Sequence, residues 1–374
     1  MSRPGDPSED PFAPRRNTHL VGHEEAERYL LESWNSGRMH HAWLIGGPPG
    51  IGKATLAYRM ARFALVRGNE ADDGPSLFGG PAPATNLDVD PEHSAARRVA
   101  AGGHGDLLTV ERIWDEKKKR YKRDLPVDEV RRIAPFLRMT ASEGGWRVVV
   151  VDGADQMNAS GQNALLKILE EPPPRSLILM TADNVGALLP TIRSRSRKLM
   201  LDPLPEDLVL GLLSRYAPDL DQESRLALAR LAEGSIGRAM DLHATGGLNL
   251  YREMLGLMEM LPRLDVLAVY GFIDKVLRGN NDETAWATVT DLLSWWLGRL
   301  ARAMARGSIP PEVVAGEEAL LIRLAGGAGQ DRGLDRWVEV WENTARLFAR
   351  ADSANLDRKQ VLLNALLSIE AAAA

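Results

Sequence analysis

Short apolar runs alternate with longer segments of helical periodicity in the first half of the chain. In the helical segments apolar residues recur every three or four positions, as in Leu56, Met60 and Phe63. This alternation favours an α/β fold, in which helices cover both faces of a parallel sheet. The predicted strands are Ala42 to Ile45, Leu107 to Val110, Val148 to Val151, Leu177 to Thr181 and Lys198 to Leu201.

The second half of the chain has a different pattern. Pro203 and Pro205 interrupt the alternation, and only helical periodicity follows them. Gly246 and Gly247 indicate a hinge between a small helical domain and a larger one. The predicted parts are a disordered tail over 1–17, rich in Pro, Asp, Ser and Arg, an α/β domain over 18–202, a small helical domain over 203–245 and a larger helical domain over 246–374.

Composition excludes several classes of protein. The 374 residues are 44% hydrophobic and 26% charged, which is ordinary for a folded globular chain. No apolar stretch approaches the ~18 residues of a membrane span, and the first residues lack the apolar core of a signal peptide. Without cysteine there is no disulfide, thiolate zinc site or catalytic thiol. We expect a cytoplasmic protein without a membrane partner, and the net charge of −5 confines any DNA contact to a local patch.

The strongest chemical motif is Gly47-Pro48-Pro49-Gly50-Ile51-Gly52-Lys53, which lies between a predicted strand and an amphipathic helix. Glycines let backbone N–H groups turn toward phosphate oxygens, while the helix N-terminus and Lys53 add positive charge. We therefore predict a P-loop (residues 47–53) and leave open whether a nucleotide still binds. The predicted nucleotide-contacting residues are Gly47, Gly50, Gly52, Lys53, Thr55 and Asp152.

Two positions depart from the pattern of a hydrolysing P-loop ATPase. Ala54 stands where a hydroxyl should bind Mg²⁺, and the hydroxyl of Thr55 is turned away by about 100° on a helix. Gly153 follows Asp152, where a Glu usually orients the attacking water. Asp152 could still hold Mg²⁺ through water. We expect any bound ATP to remain unhydrolysed by this chain, because phosphoryl transfer depends on positioning and charge.

Four further segments carry a resemblance. The run Asn163 to Pro173 reads NALLKILEEPP and is, taken alone, an amphipathic helix ended by prolines. With Ser194-Arg195-Ser196, Leu20-Val21-Gly22-His23 and His40-His41-Ala42-Trp43-Leu44, it resembles the clamp-loader branch of the AAA+ ATPases. The spacing matches from about Leu20 to Leu201. The resemblance implies an AAA+ P-loop domain, a helical lid over 203–245 and a helical collar over 246–374 that mediates oligomerisation.

The resemblance also implies a function. In the family the Arg of the Ser194-Arg195-Ser196 segment is an arginine finger, which reaches the γ-phosphate held by the next protomer. This chain would be the stator of a hetero-pentameric ring that loads the sliding clamp onto primed DNA for the bacterial replicative polymerase, and would itself meet the clamp only indirectly. The alternatives are an autonomous AAA+ ATPase, either a hydrolysing paralogue or a branch-migration motor, and a scaffold in which Arg195 forms only a surface salt bridge.

Other family features are absent or altered. Family members usually carry a four-cysteine zinc module in the segment matching Pro75 to Gly105, and we predict no metal here because His93 and His104 alone make a poor zinc site. The wider segment Ala71 to Gly105 is predicted to be an irregular insertion, with a turn at His104.

Four assignments depend on the family register or remain open. Gly237 stands at the second sensor position, so Arg238 is expected to face elsewhere, and Thr181 matches the first sensor. The basic run Lys117 to Arg123 is either a solvated loop or a contact for DNA phosphates. The tryptophans of the last domain are either core residues or interface residues.

Overall fold

The computed structural model describes residues 12–70, 83–115, 120–121, 124–278, 282–327, 330–354 and 356–374. These residues form two compact units. The first contains the described residues up to Val209 together with Gly234–Gly237, and the second contains Leu210–Glu233 and Arg238–Ala374. The finer division into an α/β domain, a lid and a collar stays a prediction.

A parallel sheet of five strands is the centre of the first unit. Its strands are β1 (Ala42–Gly46), β2 (Leu107–Val110), β3 (Arg147–Val151), β4 (Ser176–Ala182) and β5 (Arg197–Met200). They pair in the order β2-β3-β4-β1-β5, and every pairing is parallel. The α/β prediction is confirmed, although β5 begins and ends one residue earlier than predicted. A separate short hairpin pairs Trp114–Asp115 with Arg120–Tyr121.

Helices cover both faces of this sheet. The helices of the first unit are α1 (Glu24–Asn35), α2 (Lys53–Glu70), α3 (Ser94–Ala100), α4 (Val127–Arg131), α5 (Ile133–Arg138), α6 (Ala159–Glu170) and α7 (Pro190–Arg195). All residues of β1, β3 and β4 are buried, as a sheet covered on two sides requires. Neighbouring residues serve opposite faces, since Trp43 belongs to one core cluster and Leu44 to the other.

The predicted insertion and tail both contain more structure than expected. Residues 94–100 form α3, and the His93 ring accepts a hydrogen bond from Ala95 N at the start of this helix. Residues 71–82 of the insertion lie outside the described residues.

Within the predicted tail, residues 1–11 also lie outside the description. The buried Arg62 side chain donates to the carbonyls of Arg15 and Asn17 at 3.0 and 2.9 Å. The tail prediction is therefore wrong for this part, which is fixed on α2.

The second unit is helical. After α8 (Glu206–Tyr216), which crosses the boundary between the units, come α9 (Gln222–Leu231), α10 (Ile236–Ala244), α11 (Gly247–Glu259), α12 (Val266–Leu277), α13 (Asp282–Arg306), α14 (Glu317–Gly327), α15 (Gln330–Ala354) and α16 (Arg358–Ala373). Trp286, Trp295, Trp296 and Trp337 are buried, which confirms core packing for these four. Within the described residues, each helix is too short or too polar to cross a lipid bilayer.

A buried carboxylate ties the loop before α14 to the rest of the second unit. Glu317 Oε1 accepts a hydrogen bond from Tyr251 Oη at 2.7 Å, and Oε2 accepts one from Val313 N at 2.6 Å. Arg299 Nε lies 3.1 Å from Oε1 of the same carboxylate, whose side chain is 0% exposed. Burial first, and then the Glu317 charge, raise the pKa of Tyr251. The carboxylate is thus satisfied by charge and by hydrogen bonds together.

Candidate functional site

The P-loop joins β1 to α2 and depends on its glycines. Gly47, Gly50 and Gly52 have φ angles of 145°, 72° and 107°, a region that side chains with a Cβ rarely adopt. At Gly47 a Cβ would also lie 2.4 Å from the carbonyl oxygen of Leu201. The backbone conformation therefore explains why each of these three predicted positions is a glycine.

Hydrogen bonds within the same unit hold the P-loop. The carbonyl oxygens of residues 48–51 each accept one bond, and none of the donors is a backbone N–H group of residues 47–53. The donors, in order, are Lys53 Nζ at 2.5 Å, Ser235 Oγ at 2.8 Å, Gly237 N at 2.9 Å and His23 Nε2 at 2.7 Å. The chain therefore supports the loop without a ligand, while the loop amides keep their capacity for phosphate.

The second sensor position is part of this support. Gly237 lies against the loop so closely that a Cβ would be 2.8 Å from Gly50 Cα. An arginine at this position would displace the P-loop backbone. The next residue, Arg238, places Nη2 2.8 Å from Asp291 Oδ2 in the second unit. The expectation that Arg238 faces elsewhere therefore has a physical basis, which is its ion pair with Asp291.

The P-loop lysine is paired with a carboxylate that the sequence patterns did not single out. Lys53 Nζ lies 2.7 Å from Asp183 Oδ1, and the lysine side chain is only 6% exposed. Asp183 directly follows β4, the neighbour of β1 in the sheet. The carboxyl ends of parallel strands meet at one edge, so an acidic residue just after β4 was the available signal.

Asp152 directly follows β3 at the same edge and is held by Thr181. Thr181 Oγ1 donates to Asp152 Oδ1 at 2.6 Å and accepts from Gly153 N at 2.9 Å. Burial raises the pKa of Asp152, while the Thr181 hydrogen bond and the charge of Lys53 act in the opposite direction. Gly153 itself has φ 79° and ψ 49°, the left-handed conformation. The residue at the position of the usual Glu thus has no side chain and a left-handed backbone.

The fit of this site to a magnesium nucleotide is partial. The loop amides suit a phosphate, but Asp183 neutralises Lys53, Ala54 offers no hydroxyl and Gly153 offers no carboxylate. Thr55 is buried in the first turn of α2. These residues do not fit a hydrolysable nucleotide complex. Among the described residues, no group of three or more His, Cys, Asp or Glu side chains could hold a metal ion. The prediction of no zinc stays a prediction, because residues 71–82 are outside the description.

Arg195 is the last residue of α7. Its Nη2 lies 2.9 Å from Glu170 Oε1, and its Nη1 donates a hydrogen bond to Thr191 O at 3.2 Å. The side chains of Glu170 and Arg195 are 49% and 36% exposed. Arg197, two residues on, donates instead to Tyr29 Oη and stacks over the Tyr29 ring at 4.6 Å. Within the part of the chain that the structure describes, Arg195 is therefore held by a partly exposed ion pair and a carbonyl, whereas Arg197 packs on an aromatic ring.

A buried glutamine positions the start of α7. Gln162 lies in α6 and is 6% exposed. Its Oε1 accepts from Leu189 N at 2.7 Å, and its Nε2 donates to Met157 O at 3.1 Å and Ala187 O at 3.3 Å. These bonds fix the turn that leads into Pro190, the first residue of α7. No sequence pattern indicates this role, because all three partners of the Gln162 side chain are backbone groups.

Comparison with known proteins agrees with these features. A family model described as "DNA polymerase III, delta subunit" matches residues 22–205. DNA polymerase III subunit delta' of Escherichia coli (strain K12) is 33% identical over 213 residues, which cover 57% of this chain and 57% of that protein. The same subunit of Pseudomonas aeruginosa is 36% identical over 207 residues, which cover 55% and 56%. Residues 22–205, about half of the chain, are thus similar to the delta' subunits of DNA polymerase III.

Other relatives of this delta-prime-like chain extend further at lower identity. DNA polymerase III subunit gamma/tau of Mycobacterium tuberculosis (strain H37Rv) is 26% identical over 309 residues, which cover 75% of this chain and 48% of that protein. The chain spans little more than half the length of the two delta' relatives.

Two solved structures from Thermotoga maritima also align. A DNA polymerase III gamma subunit-related protein has a TM-score of 0.37 at 20% identity, covering 92% of this chain and 100% of that one. The RuvB Holliday junction branch migration motor has a TM-score of 0.40 at 16% identity, covering 84% and 93%. Scores this low carry no argument, so the AAA+ fold assignment depends on the sheet order, the P-loop and the sequence relatives.

Proposed function

We propose that this chain is a delta-prime-type subunit of the DNA polymerase III clamp loader that supplies Arg195 to the nucleotide of a neighbouring ATPase subunit and hydrolyses no ATP itself. The observation that carries the proposal is a contrast within one domain. Its own nucleotide site has Lys53 neutralised and a left-handed Gly153. Its Arg195 lies partly exposed at the end of α7, in the motif where the family carries its arginine finger.

The ion pair of Arg195 with Glu170 supports this role. Both side chains are more than a third exposed, and exposed pairs of this kind contribute only about 0.2–1 kcal/mol. A triphosphate on a neighbouring subunit offers a higher charge and oxygen pairs that suit the planar guanidinium. Glu170 would therefore hold the finger in place until a nucleotide replaces it.

The assembly is part of the same proposal. The subunit would join a hetero-pentameric ring through its C-terminal helices, act as a stator, and contact the sliding clamp only indirectly while the ring encloses primed DNA. A cytoplasmic location follows from this role. The basic run Lys117 to Arg123 remains a candidate for DNA phosphates, although residues 116–119 and 122–123 lie outside the described residues.

An autonomous ATPase is the second candidate. The gamma/tau relative favours it, because that match covers 75% of this chain whereas the E. coli delta' match covers 57%. Ala54 and Gly153 oppose it, since the chain lacks a magnesium ligand and the carboxylate that orients water. Steady-state phosphate release by the purified chain decides between the two, and a rate typical of ATPases would favour the autonomous motor.

Substitution of Arg195 in a reconstituted clamp loader tests the proposal. Arginine fingers contribute about 10³–10⁵ in rate in related GTPases, or about 4–7 kcal/mol of barrier. We expect Arg195→Ala to slow hydrolysis at the adjacent site by about 10³-fold, and Arg195→Lys to recover little of it because one ammonium cannot pair with two phosphate oxygens. Lys198→Ala, which removes an exposed cation nearby, is the matched control. Unchanged hydrolysis in Arg195→Ala would favour a scaffold with an idle arginine.

A further inference from the structure

The pairing of Lys53 with Asp183 has the geometry of a phosphate contact. The Lys53 ammonium has three N–H donors, and two are directed at Asp183 Oδ1 at 2.7 Å and Pro48 O at 2.5 Å. The lysine is 6% exposed, so little water replaces these partners. In a working P-loop this ammonium binds the β- and γ-phosphates. Here a carboxylate of the same chain has that position.

The surrounding charge disfavours a nucleotide. Asp152 lies close enough for the charges of Lys53 and Asp183 to act on its pKa, so a second carboxylate lies near the ion pair. A triphosphate entering the P-loop would have to displace Asp183 from Lys53 and would then face both carboxylates. Like charges at such distances repel strongly where water is scarce. Asp183 is 44% exposed and can turn into solvent, so this barrier is moderate.

The shape of the P-loop, by contrast, remains suited to phosphate. The four hydrogen bonds that Lys53, Ser235, Gly237 and His23 donate to carbonyls of the loop hold it in place and use none of the loop's own backbone amides. The glycine φ angles at 47, 50 and 52 keep the curved backbone. The loop backbone therefore does not oppose nucleotide binding, and the feature that does is the negative charge of Asp183, which one substitution can remove.

We propose that Asp183 is an internal counter-ion that replaces a nucleotide phosphate on Lys53, and that it keeps the P-loop of this chain free of triphosphate. This inference extends the proposed function, in which the chain hydrolyses no ATP at its own site. Asp183→Asn keeps the size of the side chain and removes its charge. The variant gains affinity for Mg-ATP through Lys53 and still hydrolyses none, because Ala54 and Gly153 are unchanged.

Calorimetric titration of Mg-ATP into the full chain tests the inference. We expect Asp183→Asn to bind at least about tenfold more tightly than the wild type, which is about 1.4 kcal/mol. Adding Lys53→Ala to this variant removes the gain, which a general loosening of the fold would not do. Asp128→Asn, an acid whose side chain is 86% exposed on α4, is the control and leaves affinity unchanged. Thermal unfolding with and without Mg-ATP gives a second readout, because ligand stabilises only the variant that binds it.

Three results would overturn the inference. The first is an unchanged affinity in Asp183→Asn and in a second variant, Asp183→Ser, when both unfold cooperatively like the wild type. The second is tight Mg-ATP binding by the wild type, and the third is a gain that survives Lys53→Ala. Each leaves the role of Arg195 standing, because that residue acts on a nucleotide held by another subunit. Conversely, an Arg195 that proves idle in the assembled ring would not change the Mg-ATP affinity expected for Asp183→Asn.

Discussion

Restoring the missing carboxylate with Gly153→Glu should destabilise the first unit and restore no hydrolysis. Gly153 has φ 79° and ψ 49°, and a residue with a Cβ occupies this region at a cost of about 1–2 kcal/mol. Its Cβ would lie 2.9 Å from Gln156 Oε1, the end of a flexible side chain that can move aside. The backbone term therefore dominates. For a unit of this size 1 kcal/mol shifts the melting temperature by about 2–4 °C, so the fall is about 2–8 °C.

Differential scanning calorimetry of Gly153→Glu, Gly153→Ala and Gly153→Asn measures this effect. Asn tolerates the left-handed region better than other residues, so its melting temperature should lie between those of the wild type and the other two variants. A parallel phosphate-release assay should show no turnover by Gly153→Glu, since Ala54 is unchanged and Asp183 remains on Lys53. A variant that is as stable as the wild type, or that hydrolyses ATP steadily, would refute this reasoning.

Two further predictions concern stability. Glu317→Ala leaves Arg299 and the Tyr251 hydroxyl without their buried partner. It should therefore lower the free energy of unfolding, measured by urea titration, by about 3–5 kcal/mol. A loss under about 1 kcal/mol would contradict this, because it would mean that the network relaxes freely. Burial raises the pKa of Asp106, but hydrogen bonds from Ser142 and Glu143 and the charge of Arg147 outweigh it and leave the pKa below its ordinary value of 3.8. A depressed pKa contributes stability above the unfolded-state value that is lost as the pH falls through the folded-state value, so Asp106→Asn should lose less stability than the wild type between about pH 5 and pH 2. Parallel pH profiles for the two proteins would contradict this.

The sheet was predictable because its strands have a local signal. Runs such as Val148 to Val151 are apolar at every position, which only a strand buried on both faces requires. The insertion was harder, because α3 has only seven residues and lies within a segment rich in Gly, Pro, Ala and Asp. The carbonyls of Arg15 and Asn17 are held by Arg62, which is distant in sequence, and nothing near them in the chain indicates that contact.

The candidate site was predictable where its chemistry depends on residues that are adjacent in the sequence. The P-loop glycines, Ala54 and Gly153 could be interpreted by position alone. The partners of Lys53 and Arg195 are distant in sequence and were harder to predict. Asp183 could be sought as an acidic residue just after β4 only once the strand order was known, and Glu170 reaches Arg195 through the contact of α6 with α7.

One comparison of two variants tests the central claim most directly. Clamp-loader assemblies are reconstituted with Arg195→Ala or with Lys53→Ala in this subunit alone, and ATP hydrolysis is measured for each. We predict that Arg195→Ala loses about 10³-fold at the adjacent site, whereas Lys53→Ala retains the wild-type rate within about twofold. Equal loss from both substitutions, or full activity in Arg195→Ala, would contradict the account.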